Sequence, residues 1–337
     1  MKDLAYWPSK EPLPREKKFL RKRNYLENLN HIDHLWDYLK NECGDILAVC
    51  DLRGINQERF SYKELADLIT IASKVLFKLG LKRGDVVTII SENSPRWLIL
   101  DQAIMRLGAI NAVRGINAPS NEIEYIIKHS NSVGLIVQKK DIWKKIANKE
   151  ELKNKLKFII NLNDDKDQEL INWNKFIEFD DSIDLSNYNS EIKKSNLKDI
   201  ASILYTSGTT GEPKGVPLTH ANFLYQIKNL ACIADPKPGT SVLSVLPIWH
   251  SYERSAEYFF FSCGCSQFYT SPKYLKDDIK EVKPVVMATV PRLWEAIYDG
   301  FFMALKKMPK NKQIFIRFLL KNSSIFKNNL RLIRNLG

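Results

Sequence analysis

The chain has 337 residues, of which 44% are hydrophobic and 27% charged, and it carries a formal net charge of +12. This is the composition of a globular protein long enough to bury a sizeable core, and it argues against a disordered chain. The longest apolar run, around "AEYFFFSCGC", is far too short for a bilayer span, and five cysteines without a CxxC pair leave neither a disulfide framework nor a zinc site.

Residues 1–30 read as an N-terminal extension, broken by Pro8, Pro12 and Pro14. The stretch "SYKELADLITIASKVLFKLG" has apolar residues at helical spacing and a glycine stop at Gly80. "DVVTII" then predicts a buried strand, and "SPRWLILDQAIMRLG" a helix with Ser94 as its cap and Pro95 in its first position. "AINAV", "VGLIVQ" and "LKFIINL" predict further strands, with "APSNEIEYIIKHS" as the helix between the first two. The region 163–196, rich in Asn, Asp, Lys and Ser, reads as a polar connection. Alternation resumes with the strand "ASILY", a helix from about Thr219, the strand "SVLSVLP", the helix "YERSAEYFFFS", the strand "SQFYT", the helix "LKDDIKEVK", the strand "PVVMATV" and the helix "PRLWEAIYDGFFMALKK". Strand–helix alternation of this kind predicts an α/β fold of two packed subdomains with mostly parallel sheets.

The positive charge is spread along the chain, with clusters at Lys17–Arg23 and beyond Lys306, and no nucleic-acid motif accompanies it. It reads as a lysine-rich solvated surface suited to anionic partners such as a nucleotide, a coenzyme, an acidic carrier protein or anionic lipid, with no nucleic acid among them. With no signal-peptide pattern at the N-terminus, the sequence suggests a cytoplasmic protein in peripheral contact with a membrane. Residues 306–337 contain nine Lys or Arg and no acid, and their apolar residues fit one helix face, which reads either as a helix packed on other parts of the enzyme or as a basic amphipathic helix at a membrane surface.

"LYTSGTTGEPKGVPLTH", Leu204 to His220, places Ser, Thr and Gly directly after a buried strand. Glycines let a backbone expose its N–H groups and hydroxyls add donors, so the loop suits a phosphate, with Lys214 as a point charge. It is not a Walker A loop, because Lys214 is followed by Gly215, Val216 and Pro217 rather than by a hydroxyl at a helix start. His250 follows the Leu246–Pro247 turn at a strand end, where ligands lie in open α/β sheets, and a satisfied core histidine is the alternative reading. Glu253 has three candidate roles: a partner for Arg254, a partner for Lys214, or a helix cap. Trp249, Tyr252 and Phe259–Phe261 could line a tunnel, with the phenylalanines read as core. His220 reads as structural beside Thr219, and His31, His34 and His129 carry no motif.

"YTSGTTGEPKG" resembles the phosphate loop of the adenylate-forming (AMP-binding) superfamily. "LPIWHSYERSAEY" is similar to the segment that marks its long-chain acyl-CoA synthetase and acyl–acyl-carrier-protein synthetase branch, and "WHSYERS" argues against a luciferase or aryl-acid branch. "GAINAVRGINAPSNEIEYIIKHS", "CGCSQFYTSPKYLKDDIKEVKP" and "TVPRLWEAIYDG" look similar to the same group, so the resemblance runs from about His31 onward.

The resemblance implies ATP-dependent activation of a long-chain fatty acid, followed by transfer to CoA or to the phosphopantetheine of acyl-carrier protein. It implies that Tyr205, Thr206, Ser207, Gly208, Thr209, Thr210, Gly211 and Lys214 cradle the ATP phosphates and that Thr206 helps hold Mg²⁺. Lys214 and His250 are the implied catalytic residues, with His250 beside the substrate carboxylate. It further implies one partial AMP-binding domain over 31–337, with subdomains at about 81–215 and at 31–80 plus 216–337. The adenine-binding motif, the Mg²⁺ glutamate and the C-terminal lobe of the family pattern are not found in the sequence. The expectation is therefore a chain inactive alone, completed by a second chain carrying the C-terminal half, or else a non-catalytic remnant that binds phosphate or fatty acid without turnover.

Overall fold

The structure, a computed structural model, describes residues 24–54, 57–165, 167–178, 187–192, 194, 196–206, 212–230, 234, 236–319 and 322. The described chain divides into two units, within 1–288 and 289–337.

The first unit opens with a 3-10 turn at Asn24–Asn28 and helix α1 (His34–Cys43). Tyr25 stacks on Tyr38 with ring centroids 3.7 Å apart, and Leu26 and Leu29 are buried, so packing begins inside the predicted extension. Strands β1 (Leu47–Asp51) and β2 (Arg59–Ser61) lead into α2 (Tyr62–Lys78), whose N-terminus is closed by a capping box between Ser61 and Glu64. The chain leaves α2 through Gly80 at φ 85°, a left-handed conformation that glycine adopts without a Cβ clash. Strand β3 (Val86–Ile90) is followed by α3 (Pro95–Arg106), where Ser94 Oγ accepts from the Trp97 amide at 3.1 Å and Pro95 takes the first position.

Next come β4 (Ile110–Arg114), α4 (Ser120–His129), β5 (Ser132–Val137), α5 (Lys140–Lys144), α6 (Lys149–Lys155) and β6 (Phe158–Asn161). The polar region 163–196 is more structured than its composition predicts. It holds β7 (Ile171–Asn172), α7 (Trp173–Ile177) and α8 (Tyr188–Ile192), because Trp173, Phe176 and Tyr188 are buried. Tyr188 hydrogen-bonds Ser73 on α2 at 2.6 Å and meets Phe77 edge-on. The remaining elements are β8 (Ile200–Thr206), β9 (Lys214–Thr219), α9 (His220–Asn229), β10 (Ser241–Ser244), α10 (Ser251–Ser262), β11 (Ser266–Tyr269) and α11 (Leu275–Val282).

Two sheets result, of order β7-β6-β5-β3-β4-β8-β9 and β10-β11-β1-β2. Every neighbouring pair is parallel except β8–β9 and β1–β2. The early strand β1 thus lies beside β11 from late in the chain. The predicted strand "PVVMATV" forms only a bridge from Val286 to Val242, although the Val285 amide also donates to Ser241 O at 3.0 Å. Pro284 has no N–H to extend the ladder. All twelve residues of α3 are buried, and α3 packs on strands of both sheets, so helices share the space between them. A doubly wound α/β architecture with mostly parallel strands is therefore present.

The second unit contains α12 (Pro291–Lys306), entered through Pro291, and further helix over 310–319. Leu305 is the buried residue of α12, while Trp294, Ile297, Tyr298, Phe301 and Met303 are exposed.

Candidate active site

In both sheets the parallel strands deliver their loops at carboxyl ends, where open α/β folds place ligands. β8 and β9 form a hairpin in which Thr206 stands opposite Lys214. Both side chains are exposed, so a hydroxyl and an ammonium flank the base of the connecting loop. Ser207, Gly208, Thr209, Thr210 and Gly211 lie outside the described residues. Tyr205 alternates to the opposite face of β8 and is buried, with its hydroxyl 2.8 Å from His129 Nδ1 on α4. Burial pushes the Tyr205 phenol up to about 12, so it stays neutral and holds the strand end to α4. His129, which carried no motif, is thus a support of the loop.

For a polyphosphate, Thr206 and Lys214 are a fitting donor set. Among the described residues no group of three His, Cys, Asp or Glu stands together that could hold a metal.

The second loop leaves β10 at Ser244 and reaches His250 just before α10. The His250 amide donates to Pro247 O at 3.0 Å, closing a turn. The imidazole is exposed and lies tilted against Trp249, with ring centroids 4.2 Å and planes 36° apart. The Arg114 guanidinium, from the end of β4, lies over the Trp249 ring, 5.0 Å from its centroid. Gly115 permits this approach: a Cβ there would come within 2.5 Å of Trp249 Nε1. Partial desolvation, reinforced by the Arg114 charge, holds the His250 pKa below its ordinary value. At neutral pH His250 therefore offers one N–H donor and one acceptor rather than a cation. His220, by contrast, is fully buried against His31, accepts from the Ile32 amide at 3.4 Å and is driven down to about 2 by burial, as a structural residue would be.

Helix α10 carries groups the sequence left open. Glu253 pairs with neither Arg254 nor Lys214: it is buried and accepts from Ser244 Oγ at 2.5 Å, and its Oε2 has no partner. Burial raises it to about 7. Arg254 is fully buried and ion-paired with Asp101 of α3. It also donates to Ser202 Oγ of β8 at 2.6 Å, to Asn111 Oδ1 of β4 at 3.0 Å and to Tyr258 OH at 2.9 Å. One guanidinium thereby joins the strand that ends in Thr206 to the helix that begins after His250. Its only signal in the sequence was a charged residue inside an apolar helix, with the adjacent Glu253 as a candidate partner.

An apolar groove of about 660 Å³ runs between α9 and α10, over residues 286–288, with Phe223, Tyr225, Tyr252, Ala256, Phe259 and Met287 on its walls. That volume is typical of small-molecule sites. Phe259 and Phe260 are buried and also line it, whereas Phe261 packs inward on Trp36 and Tyr62. Tyr252 and Ser251 bring the groove to the residues directly after His250.

A sequence model of the family described as "AMP-binding enzyme" matches residues 37–329. The chain is 35% identical over 311 residues to a chloroplastic long-chain-fatty-acid–acyl-carrier-protein ligase of Arabidopsis thaliana, an alignment that covers 88% of this chain and 42% of the relative. It is 31% identical over 291 residues to long-chain-fatty-acid–CoA ligase 5 of Rattus norvegicus, covering 80% of this chain and 42% of the relative. The chain thus spans about two fifths of the length of these curated relatives. In fold it is similar to the inhibitor-bound N-terminal domain of FACL13 from Mycobacterium tuberculosis, with TM-score 0.60, 19% identity and coverage of 79% of this chain and 64% of that one. It is also similar to a red-emitting luciferase from Phrixothrix hirtus, with TM-score 0.65, 20% identity and coverage of 78% and 51%. A hairpin with a Ser/Thr/Gly loop and a lysine, a histidine loop at a neighbouring strand end, and a family match over most of the chain agree: this chain belongs to the AMP-binding enzyme family.

Proposed function

We propose that this chain supplies the phosphate loop and the acyl groove of a ligase that activates a long-chain fatty acid with ATP and passes the acyl group to CoA or to the phosphopantetheine of an acyl-carrier protein. The observation that carries the reading is the 660 Å³ apolar groove whose wall begins at Ser251, next to His250. The curated relatives are named as ligases of long-chain fatty acids.

A fatty carboxylate is ionised at pH 7 and needs no strong base to attack the α-phosphate and release pyrophosphate. The obstacle is repulsion between anions, so the work is electrostatic. In this proposal the segment 205–211 with Lys214 would cradle the phosphates, and Thr206 would offer its hydroxyl to a Mg²⁺ ion, which would neutralise phosphate charge. His250, neutral, donates to the substrate carboxylate at the groove mouth. The division into subdomains at about 81–215 and at 31–80 plus 216–337 belongs to the same proposal, as does a cytoplasmic location. So does contact with an anionic membrane surface through 306–337. Among the described residues no helix is long and apolar enough to cross a membrane.

The test is ATP–pyrophosphate exchange with palmitate. The chain is assayed alone and mixed with the remaining C-terminal segment of the Arabidopsis ligase. The expected result is no exchange alone and exchange in the mixture, reduced about 100- to 1,000-fold by Lys214→Ala or His250→Ala. Palmitate binding without exchange in either sample would favour a binding protein without turnover and overturn the ligase reading.

A further inference from the structure

The loop that carries His250 is gripped from the other sheet. Asn93 sits in the turn after β3, one residue before the Ser94 cap of α3. Its Nδ2 donates to Leu246 O at 2.9 Å and to Ser244 Oγ at 3.2 Å, and its Oδ1 accepts from the Ile248 amide at 2.9 Å. Leu246 and Ile248 flank Pro247, whose carbonyl in turn accepts from the His250 amide. One planar carboxamide therefore meets the backbone on both sides of the turn. A carboxylate would set a lone pair against Leu246 O, alanine would leave the groups unpaired, and glutamine would overshoot by a methylene. The mounting is rigid, because Ser94 caps a helix that is buried along its whole length.

We infer that Asn93 is the positioning residue for His250: it fixes the backbone of 244–248, and with it the place of the imidazole against the Trp249–Arg114 stack at the groove mouth. The catalytic consequence rests on the proposed function, whereas the positioning does not. The charged group that acts on the imidazole is Arg114, itself held by Glu122 at 2.6 Å, while Glu253, three residues on in α10, is turned to Ser244.

The test uses the full chain labelled with ¹⁵N and reads the His250 ring titration and the Ile248 amide by NMR. In Asn93→Ala the His250 pKa should rise toward the ordinary histidine value as the ring leaves its place against Trp249. The Ile248 amide should exchange about 10-fold faster, the loss expected for one hydrogen bond. His129, on the Tyr205 hydroxyl, should keep its wild-type signals and so report an intact fold. Asn93→Asp, nearly isosteric, keeps an acceptor for the Ile248 amide at pH 8 but has no donor for Leu246 O or Ser244 Oγ. Its Ile248 amide should therefore stay protected while the His250 ring signals move toward those of the alanine variant. An unchanged His250 titration and Ile248 amide in a folded Asn93→Ala, or an Asn93→Asp chain whose His250 ring signals are wild-type at pH 8, overturns the inference. If Asn93→Ala does not fold, the aspartate variant decides alone. In the supplemented exchange assay Asn93→Ala should lower kcat with KM for ATP unchanged. A wild-type mixture without exchange counts against the proposed function and leaves the NMR result standing.

Discussion

Helices α10 and α12 are both built around adjacent phenylalanines, "YFFFS" in one and "GFFMA" in the other, and their surroundings are opposite. α10 buries nine residues, and Glu253, Arg254 and Glu257 are among them. α12 buries Leu305 alone and leaves Trp294, Tyr298 and Phe301 in the open. Composition does not separate the two. What separates them is the set of partners that arrives: Asp101, Asn111 and Ser202 converge on Arg254, Ser244 on Glu253, and Tyr269 on Glu257. A buried charge persists where several hydrogen bonds replace its water, and the same groups would be costly anywhere less complete.

The sharpest way to break this contrast is to remove a partner from Arg254. Asp101→Ala leaves a fully buried guanidinium without its anion and should lower unfolding free energy by about 3–5 kcal/mol. Chemical denaturation of the first unit would show it as a large fall in midpoint. Replacing Asp101 and Arg254 together by leucine and methionine should cost less than Asp101→Ala alone, because no charge is then stranded. A double variant as unstable as the single one would mean that the network's other hydrogen bonds matter more than the charge pair.

Next in size is the pH dependence that Glu253 gives the protein. Its pKa is raised by burial from 4.5 to about 7, so between those values the folded chain keeps a proton that the unfolded chain has released. Stability should therefore be highest below about pH 4.5 on this account and fall as pH rises to about 7, by roughly 3 kcal/mol at 1.36 kcal/mol per unit. Glu257, raised in the same direction by burial, extends the fall to higher pH. Glu253→Gln should flatten the pH 4.5–7 part of the curve and leave the Glu257 part. A wild-type stability that rises across that window would contradict the buried, partnerless Glu253 Oε2.

Local features of these helices and strands were open to reading in the sequence, and long-range ones were not. Ser94 with Pro95, and the Gly80 stop, act within one turn of themselves, so their residue types identify them. Seven strands, β3 to β6, β8, β10 and β11, followed from apolar runs between helical patterns, whereas β1, β2 and β7 gave no such signal and "PVVMATV" yields only a bridge. Asn93 was silent because the groups it grips lie 151 to 155 positions away. Asp101 and Arg254 are 153 positions apart, and neither shows from its neighbours that it is buried. Trp173, Phe176 and Tyr188 were hidden by the polar residues around them, since composition averages over a segment whereas packing selects three side chains. The phosphate loop was recognisable from "YTSGTTGEPKG" as a string, but the anchoring of its strand through Tyr205 to His129 needed the fold.

The smallest expected effect lies on α12, and it completes the comparison. Phe301→Ala removes an exposed ring, so stability should change by no more than about 0.5 kcal/mol, whereas Phe261→Ala on α10 opens a core cavity and should cost about 3–5 kcal/mol. An apolar surface followed in the sequence by a segment, 306–337, with nine cations and no acid has the chemistry of a helix lying on anionic lipid. If that is its partner, Phe301→Ala and removal of 306–337 should each reduce co-sedimentation with phosphatidylglycerol vesicles. Binding to phosphatidylcholine should be weaker throughout, and added salt should weaken the anionic component. Equal sedimentation of the full chain and the shortened one would remove the membrane reading. A loss of several kcal/mol in Phe301→Ala would show that α12 is packed in solution, and the contrast with α10 would then vanish.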